Sequence, residues 1–118
     1  MRTILVAAIL LGATCPAAAI DSKGVYGVRG SGTSSCGTWV QEHRSSSLTS
    51  LLEDAWLLGY VTAYNYWTLK GSTDVVGETD APGMVAAMTQ YCENHPLDSI
   101  SAAAVDLIIQ LRLKLRSK

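Results

Sequence analysis

Three cysteines occur in this 118-residue sequence, and the number that remains after export limits the fold more than any other feature. Cys15 lies within the first 19 residues, which have the pattern of a secretory signal peptide, so cleavage would leave only Cys36 and Cys92. In an oxidising compartment an isolated cysteine pair most often forms a disulfide. We therefore expect a Cys36–Cys92 bridge, whose long loop contributes roughly 4 kcal/mol to stability.

The N-terminal segment MRTILVAAILLGATCPAAA carries the three parts of a signal peptide. Arg2 supplies the positive charge, residues 4–13 form an unbroken apolar run, and residues 17–19 offer an A-x-A cleavage site. The apolar run is too short for a membrane span. We predict cleavage after Ala19, export to the periplasm and no stable membrane insertion.

The charge balance argues against one class of partner. Without Arg2 the predicted mature chain keeps eight Lys and Arg against ten Asp and Glu, a net charge of about −2. The sequence contains no stripe of basic residues that would indicate a nucleic-acid-binding surface. At low pH, when the carboxyls are neutral, the eight basic residues and two charged histidines give about +10. Self-repulsion then opposes the compact state.

Residues 35–118 are predicted to form one all-α domain, a small bundle of about four helices held by the single disulfide. A Gly- and Ser-rich segment, residues 20–34, is predicted to be a flexible lead-in. Ser34 or Ser35 can then cap a first short helix with the sequence CGTWVQEHR.

The long second helix is predicted to run from a capping box formed by Ser50 and Glu53 to Gly71. Apolar spacings of three and four residues define its expected core stripe. That stripe comprises Leu52, Ala55, Trp56, Gly59, Ala63 and Tyr66 or Trp67. Its small residues lie one turn apart, so they would let a neighbouring helix approach closely.

Two further helices are predicted in the second half of the domain. Asp80 can cap the third helix, with Pro82 in its first turn. The fourth helix is predicted to begin at Pro96, with Asp98 in its first turn. Its expected inner face comprises Ile100, Ala104, Leu107, Ile108, Leu111 and Leu115.

A cysteine, a glutamate and a histidine lie together in YCENHP, residues 91–96, and raise two chemical alternatives. A cysteine nucleophile would need a free thiol. A zinc site would need three or four ligands, which in principle could be Cys36, Cys92, His43 and His95. Both alternatives compete with the disulfide. We therefore expect a structural bridge, and no enzyme activity, cofactor or metal.

The second helix carries more aromatic side chains than one core face can hold. Core and boundary packing is one explanation, and a binding surface is the other, because aromatic residues are favoured at interfaces. Methionine adapts to varied partners. The candidate binding surface comprises Trp56, Tyr60, Tyr64, Trp67, Met84 and Met88. Within it, we expect Trp56 to be buried and Tyr64 or Trp67 to be partly exposed.

Five features together resemble the HdeA/HdeB family of small periplasmic proteins. These are the signal peptide, a cysteine in the first helix (SSCGTW), Gly59-Tyr60 followed by Asn65, a second cysteine in the third helix (MTQYC), and a closing helix. The resemblance spans roughly residues 34–115. It implies an acid-stress chaperone, often dimeric and inactive at neutral pH, which acid loosens so that apolar surface holds unfolded periplasmic proteins.

The acid response that the family resemblance implies needs titratable groups, and the loop before the third helix supplies candidates. Asp74, Glu78 and Asp80 make this loop acidic. Carboxylates that the fold stabilises lose that contribution as pH falls through their folded-state pKa values. The three residues are therefore the candidate acid trigger.

A second resemblance gives an alternative function. Secreted immunity proteins of the Tai type, which neutralise toxins of type VI secretion, also have a GYV-like helix, a His-Pro or Asn-Pro after a later helix, and an alanine-rich last helix. They usually carry a further cysteine just before the Gly-Tyr pair, where this sequence has Trp56-Leu57-Leu58, and another near the C-terminus. The alternative is a binding module with one specific protein partner.

Overall fold

The computed structural model describes residues 26–117, which fold into an all-α domain of four α-helices, as predicted. The predicted signal peptide and residues 20–25 lie outside the described residues. A short 3₁₀ helix at Gly30–Thr33 precedes the α-helices, which are α1 (Cys36–Ser45), α2 (Leu48–Trp67), α3 (Ala81–Asn94) and α4 (Ile100–Arg116). Among residues 26–117, no helix has the length and apolarity that crossing a membrane requires.

Helix starts follow the capping signals for α1 and α3. The Ser35 side chain accepts a hydrogen bond from the Thr38 backbone N–H, and Asp80 Oδ1 accepts one from Gly83 N at 2.8 Å. Pro82 lies in the first turn of α3, where a missing N–H costs nothing. These two predicted starts are confirmed.

The predicted starts of α2 and α4 are wrong by a few residues. Ser47, not Ser50, caps α2, accepting a hydrogen bond from Ser50 N at 3.2 Å. Ser99, not Pro96, precedes α4 and accepts one from Ala102 N at 3.1 Å. In each case a serine lies at the true cap. The Glu53 side chain is buried, so it does not close a capping box.

The predicted Cys36–Cys92 disulfide is present and joins the first turn of α1 to α3. Both cysteines are fully buried and lie 56 positions apart in sequence. Backbone hydrogen bonds reinforce this junction, since Cys36 N donates to Asp98 O at 2.7 Å and Ile100 N donates to Ser34 O at 2.9 Å. The start of α1, the end of α3 and the start of α4 therefore meet at one point.

The core contains the predicted inner face of α4 and one large side chain without a predicted role. That side chain is Trp39 of α1, which is 0% exposed and donates from Nε1 to Thr89 Oγ1 on α3 at 3.0 Å. The other buried apolar residues are Cys36, Leu57, Val61, Val75, Met84, Met88, Cys92, Ile100, Ala103, Ala104, Leu107, Ile108 and Leu111.

Part of the segment that composition assigned to a flexible lead-in is packed against α2. Trp56 Nε1 donates to Arg29 O at 2.7 Å, and the Trp56 ring stacks on Tyr60. Gly32 lies against the same ring, so closely that a Cβ there would be 2.1 Å from Trp56 Cζ2. The prediction did not take into account that Gly32, which has no side chain, permits this contact. Residues 26–34 are therefore part of the folded domain.

Candidate protein-binding surface

The solvent-facing side of α2 is apolar along its whole length. We call this side the outward face of α2; it comprises Leu48, Leu51, Leu52, Ala55, Leu58, Gly59, Thr62, Ala63, Tyr66 and Trp67. The three leucines of the first turns are 60–75% exposed, and Tyr66 and Trp67 are 67% and 77% exposed. Spacings of three and four residues place all ten positions on one side of the helix.

The outward side of α2 is therefore unlike that of an ordinary surface helix. Its inward side buries Ser50, Glu53, Leu57 and Val61, of which Glu53 is only 1% exposed. An ordinary surface helix turns its apolar stripe toward the core and its charged residues toward water. In α2 the acidic residue Glu53 is inside, Asp54 is half-buried beside His43, and the outward face carries no charged residue.

The predicted core stripe of α2 is wrong, because most of it lies on the outward face. Leu52 is 60% exposed, and an added Cβ at Gly59 would meet no atom within 4 Å. The helix has apolar residues on two sides, so spacing alone does not decide which side packs. The side carrying Leu57 and Val61 packs inward, and the side with the small residues remains open.

The size of the outward face matches that of a protein interface. Judged by the exposed fractions of its six large side chains, it offers on the order of 700 Å² of accessible surface. A standard protein–protein interface buries about 800 Å² per partner. Monomers rarely expose an apolar patch above about 300–600 Å². The small residues Ala55, Gly59 and Ala63 form a low centre between a leucine end and an aromatic end.

Only one of the six predicted binding residues is on the outward face. It is Trp67, which packs edge-on against Tyr66 with ring centroids 4.9 Å apart. Trp56 and Tyr60 are half-buried under the 26–34 segment, and Tyr64 is half-buried beside the core. Burial and a hydrogen bond with Tyr26 raise the pKa of Tyr60 to about 12, so its hydroxyl keeps its proton.

The two predicted methionines are not on the surface of the folded domain. Met84 is 4% exposed and Met88 is 0% exposed, and both pack in the core. Their spacing of four residues on α3 is the spacing of an inward stripe, and here that ordinary explanation holds. Neither side chain can touch a partner unless the core opens.

The predicted acid-trigger residues lie between the end of α2 and the start of α3, and they are engaged locally. Asp74 Oδ1 accepts hydrogen bonds from Asn65 Nδ2 at 2.7 Å and Val76 N at 3.0 Å. Asp80 caps α3. Glu78 lines a small cleft beside Leu115 of α4. Two of the three carboxylates therefore support the loop and the helix start, and their role as a trigger remains a prediction.

The cysteine nucleophile and the zinc site both require free thiols, and the disulfide joins the two thiols of Cys36 and Cys92. His43 Nδ1 and Nε2 face Trp39 O and Asp54 Oδ1, and His95 Nδ1 faces Tyr91 O at 2.9 Å. Among residues 26–117, no three His, Cys, Asp or Glu side chains are grouped as metal ligands would be. Neither Cys36 nor Cys92 can act as a thiolate while they are joined.

Comparison with protein families, curated proteins and solved structures returns no match for this chain. The resemblance to the HdeA/HdeB family therefore rests on the residues quoted above.

Proposed function

We propose that this protein is a non-enzymatic, exported protein-binding module of the HdeA/HdeB kind, which holds other proteins through the outward face of α2. The observation that carries the proposal is the charge-free apolar surface that runs the length of this 20-residue helix. A helix of that length extends about 30 Å. Such a surface gains free energy by covering apolar groups.

The chemistry of the face suits clients that are unfolded. It presents leucines at one end, two aromatic rings at the other and no charged side chain that would demand a matching charge. Binding therefore depends on apolar area rather than on a particular pattern of hydrogen bonds. Denatured periplasmic proteins expose that kind of area, which supports holdase-type activity.

Acid stress fits the resemblance and adds a second source of contact surface. The predicted mature chain moves from about −2 to about +10 as its carboxyls and histidines take up protons. This repulsion loosens packing, while the Cys36–Cys92 bridge keeps α1 and α3 joined. Met84 and Met88, buried in the folded domain, would then become available to clients.

A second candidate function is binding of one specific partner at neutral pH. The outward face is exposed in the intact fold, so no unfolding is needed before a partner docks. A second copy of the chain, or a toxin neutralised in the manner of a Tai-type protein, would be such a partner. A stable homodimer at pH 7, or a toxin encoded beside this protein, would favour this candidate.

Gly59→Lys should abolish most of the holdase activity without weakening the fold. The substitution places a charge at the centre of the outward face, where an added side chain meets no atom within 4 Å. Replacing a mid-helix glycine is neutral or stabilising by up to about 1 kcal/mol. We expect the wild type to suppress light scattering by an acid-labile client at pH 2–3, and Gly59→Lys to lose most of that suppression.

Ala86→Lys is the matched control, because Ala86 is exposed on α3 and outside the outward face. It should suppress scattering as well as the wild type does. If the wild type fails to suppress scattering at several-fold excess, the protein is not a holdase. If Gly59→Lys suppresses as well as Ala86→Lys, the outward face is not the binding surface.

A further inference from the structure

Three polar side chains form a cluster between α1 and α2 that the binding surface does not use. We call His43, Glu53 and Asp54 the α1–α2 cluster. His43 Nε2 lies 2.9 Å from Asp54 Oδ1, and Nδ1 lies 2.8 Å from Trp39 O and 3.4 Å from Glu53 Oε2. The ring stacks on Trp39 with centroids 4.0 Å apart. His43 thereby joins α1 to the start of α2.

Both ring nitrogens of His43 face oxygen acceptors. A neutral imidazole has one N–H donor and one lone pair, so it can satisfy only one of the two shortest contacts. An imidazolium donates to Trp39 O and to Asp54 Oδ1 at the same time.

Glu53 contributes a buried carboxyl group to the cluster. Its side chain is 1% exposed, and neither carboxyl oxygen accepts a hydrogen bond. A buried carboxylate without hydrogen bonds is costly unless it is protonated. Burial raises the pKa of Glu53, His43 opposes this shift, and the negative charges of Glu42 and Asp54 add to it.

The other charged groups near the cluster are already engaged. Glu42 of α1 accepts a hydrogen bond from Ser47 Oγ at the start of α2. On α3, which also packs against α1, Glu93 pairs with Arg44 at 3.3 Å near the surface. A proton on Glu53 removes the negative charge that would otherwise lie buried beside Glu42 and Asp54.

We infer that the α1–α2 cluster is a pH-dependent latch that tightens on acidification. A proton taken from solvent by Glu53 removes the repulsion between its buried carboxylate and the neighbouring acidic side chains Glu42 and Asp54. As the pH rises through the folded-state pKa of Glu53 that proton leaves, and the contact between α1 and α2 weakens. The inference does not depend on the proposed function. If the proposed function holds, the latch would keep the outward face of α2 presented while acid loosens other contacts.

The direction of the pH effect follows from linkage. A carboxyl whose pKa is raised in the folded state stabilises the fold fully below its unfolded value, here 4.5. That contribution is lost as pH rises through the folded-state value. Around this cluster, stability should therefore increase as the pH falls through the folded-state pKa of Glu53 toward 4.5, opposite to the effect of a carboxylate acid trigger.

Glu53→Gln tests the latch, because glutamine has the shape of the protonated side chain and cannot ionise. Urea unfolding of the purified protein at pH 5 and pH 8 should show the smaller difference in stability between variant and wild type at pH 5. At pH 8 the unfolding equilibrium constant of Glu53→Gln should be lower than that of the wild type, because only the wild type can carry a buried carboxylate at this position. Hydrogen exchange of α1 amides should show the same loss of pH dependence.

Glu93→Gln is the matched control, since it removes an exposed carboxylate that pairs with Arg44. Its pH profile should follow the wild type. Asp54→Asn, at a side chain 30% exposed, should flatten only part of the profile, because Glu53 still titrates. The latch is contradicted if Glu53→Gln keeps the wild-type pH dependence, or if it is less stable than the wild type or unfolded at pH 8.

Discussion

Replacing Cys36 and Cys92 together by serine should lower the free energy of unfolding by about 4 kcal/mol. The bridge closes a loop of 56 positions, and its main effect is to restrict the unfolded chain. A domain of this size has a total stability of only about 5–10 kcal/mol, so the variant should be close to unfolding at 37 °C. Urea denaturation followed by circular dichroism measures the change.

The reduced wild type provides the control for this substitution. It should unfold at nearly the same urea concentration as the double-serine variant, because both lack the cross-link. Reduction should also release α1 from α3 before the rest of the domain unfolds, since both cysteines are buried at that junction. An oxidised wild type no more stable than the double-serine variant would contradict the structural role of the bridge.

Trp39→Ala should destabilise the fold by about 3–5 kcal/mol by leaving a cavity in the core. Trp39 is 0% exposed, and its indole N–H is bonded to Thr89 at 3.0 Å. Trp67→Ala is the matched control, because Trp67 is 77% exposed and its loss should change stability by less than about 0.5 kcal/mol. Equal losses for the two variants would contradict the placement of both tryptophans.

Trp56, rather than Trp39, is the tryptophan that the sequence predicts to be buried, and it is half-buried. The structure gives Trp56 a different role, because its ring covers Gly32 and its N–H holds Arg29 O. The large buried ring is Trp39, in the short helix that begins at the disulfide. A helix of ten residues gives too few turns for its apolar spacing to mark an inward residue.

Local signals were sufficient for much of the fold. The isolated cysteine pair predicted the bridge, Asp80 predicted the start of α3, and the inner face of α4 followed from its spacing. In each of these, one local interaction or one clear apolar side decides the outcome. Ser50 failed as the cap of α2 because Ser47 lies one turn earlier and competes for the same role.

The orientation of α2 could not be obtained from its own residues. Both sides of the helix are apolar, and the contacts that select one side come from elsewhere in the sequence. Among them are the 26–34 segment on Trp56 and the His43 ring beside Glu53. The outward side does recur as a second stripe, formed by Leu48, Leu51 and Leu58 with Ala55 and Thr62 between and after them, a signal that the aromatic residues obscured.

The α1–α2 cluster was missed for a related reason. Glu53 looked like the end of a capping box, and His43 looked like one of several metal-ligand candidates. Only the packing of α1 on α2 brings them within 3.4 Å of each other. The signal available in the sequence was Glu53 itself, an acidic residue on the side of α2 that also carries Leu57 and Val61. A carboxyl at such a position is expected to be buried.

Site-specific photo-cross-linking tests most directly whether proteins bind the outward face of α2. A photoreactive amino acid at Ala63 lies on that face, and one at Ala86 lies exposed on α3. With an acid-denatured client at pH 2–3, irradiation should give a strong cross-link from position 63 and little from position 86. Equal yields from the two positions, or cross-links only from position 86, would contradict the claim.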